Sequence, residues 1–227
     1  MSTIAQHLEA TRARIEQAAT AAGRSSQSVV LVAVSKRKPV EMIREAYAAG
    51  QRDFGENYVQ ELAQKAKMLA DLHGIRWHMI GHLQRNKARQ VIGAAWAVHT
   101  VDSVRLTEEL DRRVQAASRV PLHVLVEVNV AGELSKSGCT PEELPDILDA
   151  IESRPGLKLT GLMTMPPYTE DPRKARPYFE ELARLREACG GRQRLPELSM
   201  GMSHDLEEAI STGATYVRVG TAIFGER

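Results

Sequence analysis

Aromatic residues make up only 4% of this 227-residue sequence, and cysteines number two. Cys139 and Cys189 lie far apart and share no CxxC or zinc-type spacing. That excludes a disulfide framework read from spacing and suits a reducing cytoplasm. Charge of one sign is also missing: 30 basic residues stand against 29 acidic ones, for a formal net charge of +1. No overall field exists to draw in nucleic acid or an anionic membrane. The stretch Arg85-Asn86-Lys87-Ala88-Arg89 is locally basic, but it has no interleaved aromatics and reads as a solvated helix face. No window approaches eighteen uncharged apolar residues, so no membrane span is expected. Glu9, Arg12, Arg14 and Glu16 interrupt the N-terminal apolar residues, which leaves no signal-peptide core. A soluble, cytoplasmic protein with no nucleic-acid partner is expected. Several site signatures are absent too: GxxxxGK[ST], a strand-linked GxGxxG, HExxH and GxSxG. The seven histidines show no paired-ligand spacing, so a metal site is not expected.

What is present is alternation. Ile4, Leu8, Ile15 and Ala18 or Ala19 fall on one helical stripe, which ends near Gly23. Residues 29–34 form a β-branched run of the kind buried on both faces of a parallel sheet. Further short apolar runs occur at 52–54, 77–80, 94–99, 122–128, 157–163, 197–200 and 216–219. Helical stretches at 41–49, 58–72, 83–91, 104–117, 141–153, 171–188 and 206–211 separate them. Eight strands result, each but the last followed by a helix, with the second and fourth short and poorly alternating. Strict alternation implies a parallel sheet, and eight units in this length imply one α/β domain over residues 1–227, a (β/α)8 barrel of the TIM type. An open doubly wound sheet is the alternative. Pro166-Pro167 and Gly190-Gly191 mark loops, not domain boundaries.

In a barrel the functional groups gather at the C-terminal strand ends. Lys36 follows a strand whose same-face positions are Val30, Val32 and Val34, so it would point inward at the mouth. Burial would lower its pKa and free an amine for attack on a carbonyl; a lysine snorkelling to water is the other reading. Lys38 lies two residues further on. After the seventh strand, Ser199-Met200-Gly201-Met202-Ser203 is small and flexible, and after the eighth comes Gly220-Thr221-Ala222-Ile223-Phe224-Gly225. Barrels often build a phosphate site from these two loops, although ordinary turns and caps explain them as well. Ser203 or Asp205 could cap the following helix, and Asp205 with Glu208 has capping-box spacing. Arg218 shares a face with Tyr216, opposite Val217 and Val219, which puts it inside the barrel. A buried guanidinium needs a partner, either an ion pair such as Glu127 or a ligand acceptor such as a ring nitrogen. Glu56, Asn57, Tyr58, His82, Gln84, Asn86, Lys87, Asp102, Asn129, Met163, Thr164 and Met165 complete the rim.

Eight stretches in register resemble one family. They include Ala33-Val34-Ser35-Lys36, Phe54-Gly55-Glu56-Asn57-Tyr58, Trp77-His78-Met79-Ile80-Gly81-His82 and His99-Thr100-Val101-Asp102-Ser103. The others are Val128-Asn129 with Ser135-Lys136-Ser137-Gly138, Gly161-Leu162-Met163-Thr164-Met165, Leu198-Ser199-Met200-Gly201-Met202-Ser203-His204-Asp205 and Val217-Arg218-Val219-Gly220-Thr221. Together they resemble the pyridoxal phosphate homeostasis proteins across nearly the whole chain. That resemblance implies a fold like the N-terminal barrel domain of alanine racemase. It implies pyridoxal 5′-phosphate held as a Schiff base on Lys36. Its phosphate would lie on Ser203, Gly220 and Thr221, with backbone help from the 199–202 loop at Met200. Arg218 would face the pyridine nitrogen, and Asn57 would lie near the cofactor.

The resemblance also bears on catalysis. Carbanion chemistry on this cofactor needs a protonated ring nitrogen, and a permanent cation such as Arg218 opposes that protonation. Racemases of this fold manage with such an arginine but take a second base from a separate C-terminal domain of the partner subunit. The sequence ends at Arg227, shortly after the eighth strand, so no second domain is expected, and a monomer with it. Only Tyr58 and His204 offer a second base at the rim. A non-catalytic carrier that delivers cofactor to pyridoxal-phosphate-dependent apo-enzymes is expected. A racemase-like enzyme is the first alternative, and a sugar-phosphate or indole-type barrel enzyme the second.

Overall fold

Val30–Val34 shows how the sequence builds the barrel. This first strand, β1, pairs in parallel with β2 (Asp53–Glu56) on one side and β8 (Tyr216–Val219) on the other. Between them run β3 (Arg76–Met79), β4 (Ala97–Val101), β5 (Leu122–Glu127), β6 (Leu157–Met163) and β7 (Glu197–Met202), each paired with its sequence neighbour. The sheet closes in the order β1 to β8, which excludes the open doubly wound alternative. This computed structural model describes residues 3–118, 120–133 and 136–226; Ser135 and Arg227 lie outside the described residues.

Helices fill the crossovers: α2 (Val40–Ala48), α3 (Val59–Met68), α4 (Ala88–Ile92), α5 (Val104–Ala116), α6 (Leu144–Glu152), α7 (Arg176–Ala188) with the short α8 (Gly191–Arg194), and α9 (Leu206–Ser211). Two short helices depart from the sequence reading, one of them α8, which starts at Gly191 where a loop was expected. A four-residue helix, α10 (Thr221–Phe224), follows the last strand, where none was expected. It is too short to cover the β8–β1 seam. The N-terminal helix α1 (Ile4–Ala21) packs against α9, α10 and α2 and takes that place. His7 Nδ1 lies 2.9 Å from the Ile223 carbonyl, and Arg24 donates to the Ile210 and Ala214 carbonyls, tying α1 to the seam. Thr3 and Gln6 form a capping box at its start.

The two faces of each strand meet different surroundings. Leu31, Ala33, Val217 and Val219 join the layer between barrel and helices, as the alternation predicts. That layer is almost wholly aliphatic and supplies the main hydrophobic stabilisation. The barrel interior is different. Val32, Val34, Ala97, Leu125, Met163 and Tyr216 line it, but so do Asp53, His78, His99, Ser199, Glu127 and Arg218, all buried. Polar groups so placed must satisfy one another.

They do so as a column along the axis. Asp53 takes Arg76 Nε at 2.7 Å and meets His78 Nε2 at 2.9 Å. His78 Nδ1 lies 2.9 Å from His99 Nε2, and His99 Nδ1 lies 2.9 Å from Ser199 Oγ. Ser199 Oγ then accepts from Arg218 Nη1 at 2.7 Å. Burial pushes the Asp53 carboxyl up, but hydrogen bonds from His78 and Arg76 outweigh it and hold it below its usual range. An ionised Asp53 only accepts, so the protons follow by elimination. His78 carries its proton on Nε2, and His99 likewise. Ser199 donates to His99 and accepts from Arg218. Every member is satisfied only while both imidazoles stay neutral.

Burial lowers both rings below the ordinary 6.5, and for His99 the neighbouring His78 and Arg218 add to it. The unfolded chain binds protons at these rings below about pH 6.5, where the folded chain resists them. Their contribution to stability is therefore full above that pH and falls on acidification below it. In a pH titration of protein with ¹⁵N-labelled histidine, both rings are expected to keep neutral, Nε2-protonated shifts at pH values where an ordinary imidazole takes up a proton. An imidazolium signal from either at neutral pH contradicts the column. A second test concerns the β6–β7 pairing, where a Cβ on Gly161 would clash with the Glu197 backbone, well inside van der Waals contact with its carbonyl oxygen. Gly161→Ala is expected to cost about 3 kcal/mol in urea unfolding. Gly93→Ala, at a helical φ of −67° with open space around it, is expected to be neutral or slightly stabilising.

Candidate cofactor site at the barrel mouth

The C-terminal end of β1 is fixed by its neighbours. Ser35 extends the ladder by one residue, donating its N–H to the Gly55 carbonyl at 3.0 Å. Its hydroxyl turns to the helix side and donates to Glu56 Oε1 at 2.7 Å. Buried Lys65, on α3, donates to the Ser35 carbonyl at 2.6 Å, to Glu56 at 2.8 Å and to Glu61 at 2.6 Å. Glu61 Oε1 also accepts the Arg37 N–H. The Lys38 N–H closes a turn onto the Ser35 carbonyl, with Lys36 and Arg37 at its corners and Arg37 at a φ of +60°. A non-glycine residue at positive φ is uncommon and is sustained here by the bonds around it. Ser35 is turned outward, and the half-buried Lys36 follows it at the corner of this turn, just beyond Val32 and Val34 of β1. Lys38 has a different duty. Its Nζ donates to the Phe224, Gly225 and Glu226 carbonyls and caps the C-terminal end of α10.

Across the β8–β1 seam lie the two loops expected to form an anion site. Ser203 Oγ and Thr221 Oγ1 converge to 3.3 Å, one beyond β7 and the other beyond β8. Gly220 lies over Val34, where a Cβ would stand 3.3 Å from the Val34 carbonyl oxygen. The strand before Ser203 runs to Met202, two residues further than the sequence suggested. It carries a bulge, with Ser199 opposite Tyr216 and Met202 opposite Arg218. Strand alternation keeps the Ser199 hydroxyl inside and turns the Met200 side chain into the helix-facing core, so only the backbone of Met200 is left to serve a ligand. Gly201 takes a φ of +89° there and packs against Ala209. The expected cap is also corrected: Asp205 makes no side-chain cap to α9, and its Oδ1 accepts the Met202 N–H at 2.6 Å instead, bracing the bulged turn.

Arg218 stands in the interior between these two regions. Its Nη2 donates to the Thr164 carbonyl at 2.9 Å and its Nη1 to Ser199. The ion pair with Glu127 that the sequence allowed does not form among the described residues; Glu127 acts on Arg218 through its field alone. Burial lowers the guanidinium to about 10, with Glu127 and Asp205 opposing, so it stays cationic at neutral pH. Asn57 follows β2, and its backbone presses against Gly81 so closely that no Cβ fits there. Lys36, Asn57, Arg218, Ser203, Gly220 and Thr221 thus share one arc of the mouth, on the consecutive strands β7, β8, β1 and β2.

The other rim residues do not join it. His82 pairs with Asp102 at 3.4 Å, and the His204 ring meets the Glu170 carbonyl at 2.9 Å. Tyr58 is half exposed and its hydroxyl accepts from Arg37 at 3.3 Å. Burial pushes the Cys139 thiol up to about 12, which leaves it inert. No group of three metal-ligating side chains occurs among the described residues. Lys65 and the His78–His99–Ser199 column were not singled out from the sequence. The signal for Lys65 was its i,i+4 spacing from Glu61.

Comparison with known proteins agrees with this architecture. Residues 6–227 match the family described as alanine racemase, N-terminal domain. A pyridoxal phosphate homeostasis protein of Pseudomonas aeruginosa is 49% identical, over 100% of this chain and 97% of that protein. PipY of Synechococcus elongatus, solved with PLP bound, is 37% identical with a TM-score of 0.83, covering 98% of this chain and 100% of that one. The alanine racemase of Corynebacterium glutamicum shares the fold alone: 17% identity and a TM-score of 0.69, over 97% of this chain and 62% of that one. No helix among the described residues is long and apolar enough to cross a membrane. The chain belongs to the alanine racemase N-terminal domain family and, within it, to the pyridoxal phosphate homeostasis proteins.

Proposed function

We propose that this chain binds pyridoxal 5′-phosphate reversibly through Lys36 and carries it, without turning it over, for delivery to apo-enzymes that need it. The observation that carries the reading is the arc on β7, β8, β1 and β2. It combines a half-buried amine, a buried cation and two converging hydroxyls. These match in kind the aldehyde, ring nitrogen and phosphate of the cofactor. When bound, the cofactor supplies a carbonyl carbon to the amine and an electron-withdrawing ring. Lys36 supplies the nucleophile for a Schiff base. Ser203 and Thr221 supply hydroxyl donors to the phosphate, together with the N–H groups at the start of α10 that have no intrahelical acceptor. Gly220 lets that phosphate come close to the backbone. Arg218 keeps N–H donors beyond the two used by Ser199 and Thr164. Those donors favour an unprotonated ring nitrogen, and Asn57 flanks the ring.

The carrier reading over the racemase reading rests on the rim, because a racemase of this fold keeps such an arginine and adds a second base. A fixed cation opposite the ring nitrogen weakens the electron sink. The two residues that could serve as a second base are engaged elsewhere, Tyr58 with Arg37 and His204 with Glu170.

Purified protein with added pyridoxal phosphate is expected to be yellow. Borohydride should then fix the cofactor to Lys36, as mass spectrometry of the peptide would read, and Lys36→Ala should stay colourless. A colourless wild type at excess cofactor removes the Schiff base from this reading. For the phosphate end, the double variant Ser203→Ala with Thr221→Val is expected to bind ~10- to 100-fold more weakly, from the loss of charge-assisted hydrogen bonds, yet reach full colour at saturation. Delivery is checked by reactivation of a pyridoxal-phosphate-dependent apo-enzyme with the loaded protein; no reactivation beyond that by free cofactor counts against the carrier role.

A further inference from the structure

On the side of the mouth away from the β7 and β8 loops lies a pocket of about 220 Å³, lined by Asn57, Ile80, Glu127, Asn129, Lys136 and Met165. At ~30 Å³ per water in the liquid, it has room for a ligand of about seven heavy atoms. Glu127 is the unusual member. It is 5% exposed, and its Oε2 is buried with no hydrogen-bond partner among the described residues. A buried carboxylate oxygen left without a donor is destabilising, and such atoms are few in folded proteins.

Cations nearby do not supply that donor. Lys136 Nζ pairs with Glu133 at 2.7 Å, His82 with Asp102 at 3.4 Å, and the Arg218 hydrogen bonds go to Ser199 and Thr164. No ligand set for a divalent metal occurs here among the described residues. A small cation that brings its own N–H donors would meet that oxygen. The walls suit such a ligand, with Ile80 and Met165 for an aliphatic body and Asn57 and Asn129 for further hydrogen bonds.

We infer that this pocket binds the ammonium group of a small primary amine of amino-acid size, with Glu127 accepting its N–H. The pocket shares Asn57 with the arc described above, so an amine held there stands in the same mouth as Lys36. It would compete with Lys36 for one carbonyl carbon. That consequence rests on the proposed cofactor binding, whereas the amine site itself does not.

The test is calorimetric titration of the full chain, stripped of cofactor, with n-propylammonium chloride. Saturable one-to-one binding is expected, weakened at least about ten-fold in Glu127→Gln, which preserves shape and removes the charge. Met165→Trp, at the half-exposed rim, should weaken it as well by filling the pocket; this variant carries the test if Glu127→Gln does not fold. Tetramethylammonium, a cation without N–H, should not bind. Absence of saturation in the wild type overturns the inference, as does equal binding by Glu127→Gln or by tetramethylammonium. No cofactor is present in this titration, so its failure leaves the colour test of Lys36 untouched, and a colourless wild type would leave the amine isotherm unchanged.

Discussion

Keeping the Arg218 guanidinium charged inside the barrel is the constraint on which the rest of the interior depends. Moving such a group out of water costs several kcal/mol unless its donors are met. Here its two bonds go to neutral acceptors, the Ser199 hydroxyl and the Thr164 carbonyl. Ser199 can accept because it donates to His99, which can accept there because its other nitrogen donates to His78. The series ends on Asp53, held ionised by Arg76 at the opposite end of the barrel. A chain of neutral dipoles thus links an ion pair at one end to a lone cation at the other. An aliphatic filling would have been simpler, but it could not have fixed a positive charge at the mouth.

The second buried cation is handled in the opposite way. Lys65 meets two carboxylates, Glu56 and Glu61, and spends its charge on them and on the Ser35 carbonyl. The outcome is mechanical, for it clamps the backbone on one side of Lys36 while Glu61 clamps it on the other. The contrast separates the two roles. Lys65 is neutralised in place and positions a turn. Arg218 is bonded without being neutralised, and its field reaches the mouth.

Much of this was legible in the sequence, and what was not has a common cause. The inward pair Val32 and Val34 and the outward pair Val217 and Val219 follow from period two alone, and β6 and β8 fall at the expected residues. Strand β2 was hard to read because Asp53 and Glu56 look like loop residues until their partners are known. Those partners, Arg76 and Lys65, come from other elements. The same holds for the column: His78 and His99 are 21 residues apart, and Ser199 lies 100 residues beyond His99. No local pattern joins them. Asp205 was misread for a related reason, since the capping spacing is local whereas the bulge that recruits its carboxylate depends on β8. The role of α1 became visible only when α10 proved too short to cover the seam.

Glu127 and Arg218 present the sharpest departure from economy. They stand in one barrel interior with opposite charge, each in the other's field, and they do not bond. Burial pushes Glu127 up to about 7, although Arg218 pulls it down. Bringing the two together would satisfy both, and nothing in their side-chain chemistry forbids it. The fold instead spends the Arg218 donors on neutral groups and leaves a carboxylate oxygen bare beside a pocket. Local rules are broken without compensation inside a protein mainly where a ligand completes the arrangement. A cation bonded only to neutral groups and a carboxyl oxygen without a donor, at one mouth, therefore point to two different ligand groups. Arg218 calls for an electron-rich acceptor, and Glu127 calls for a donor that arrives with its own proton.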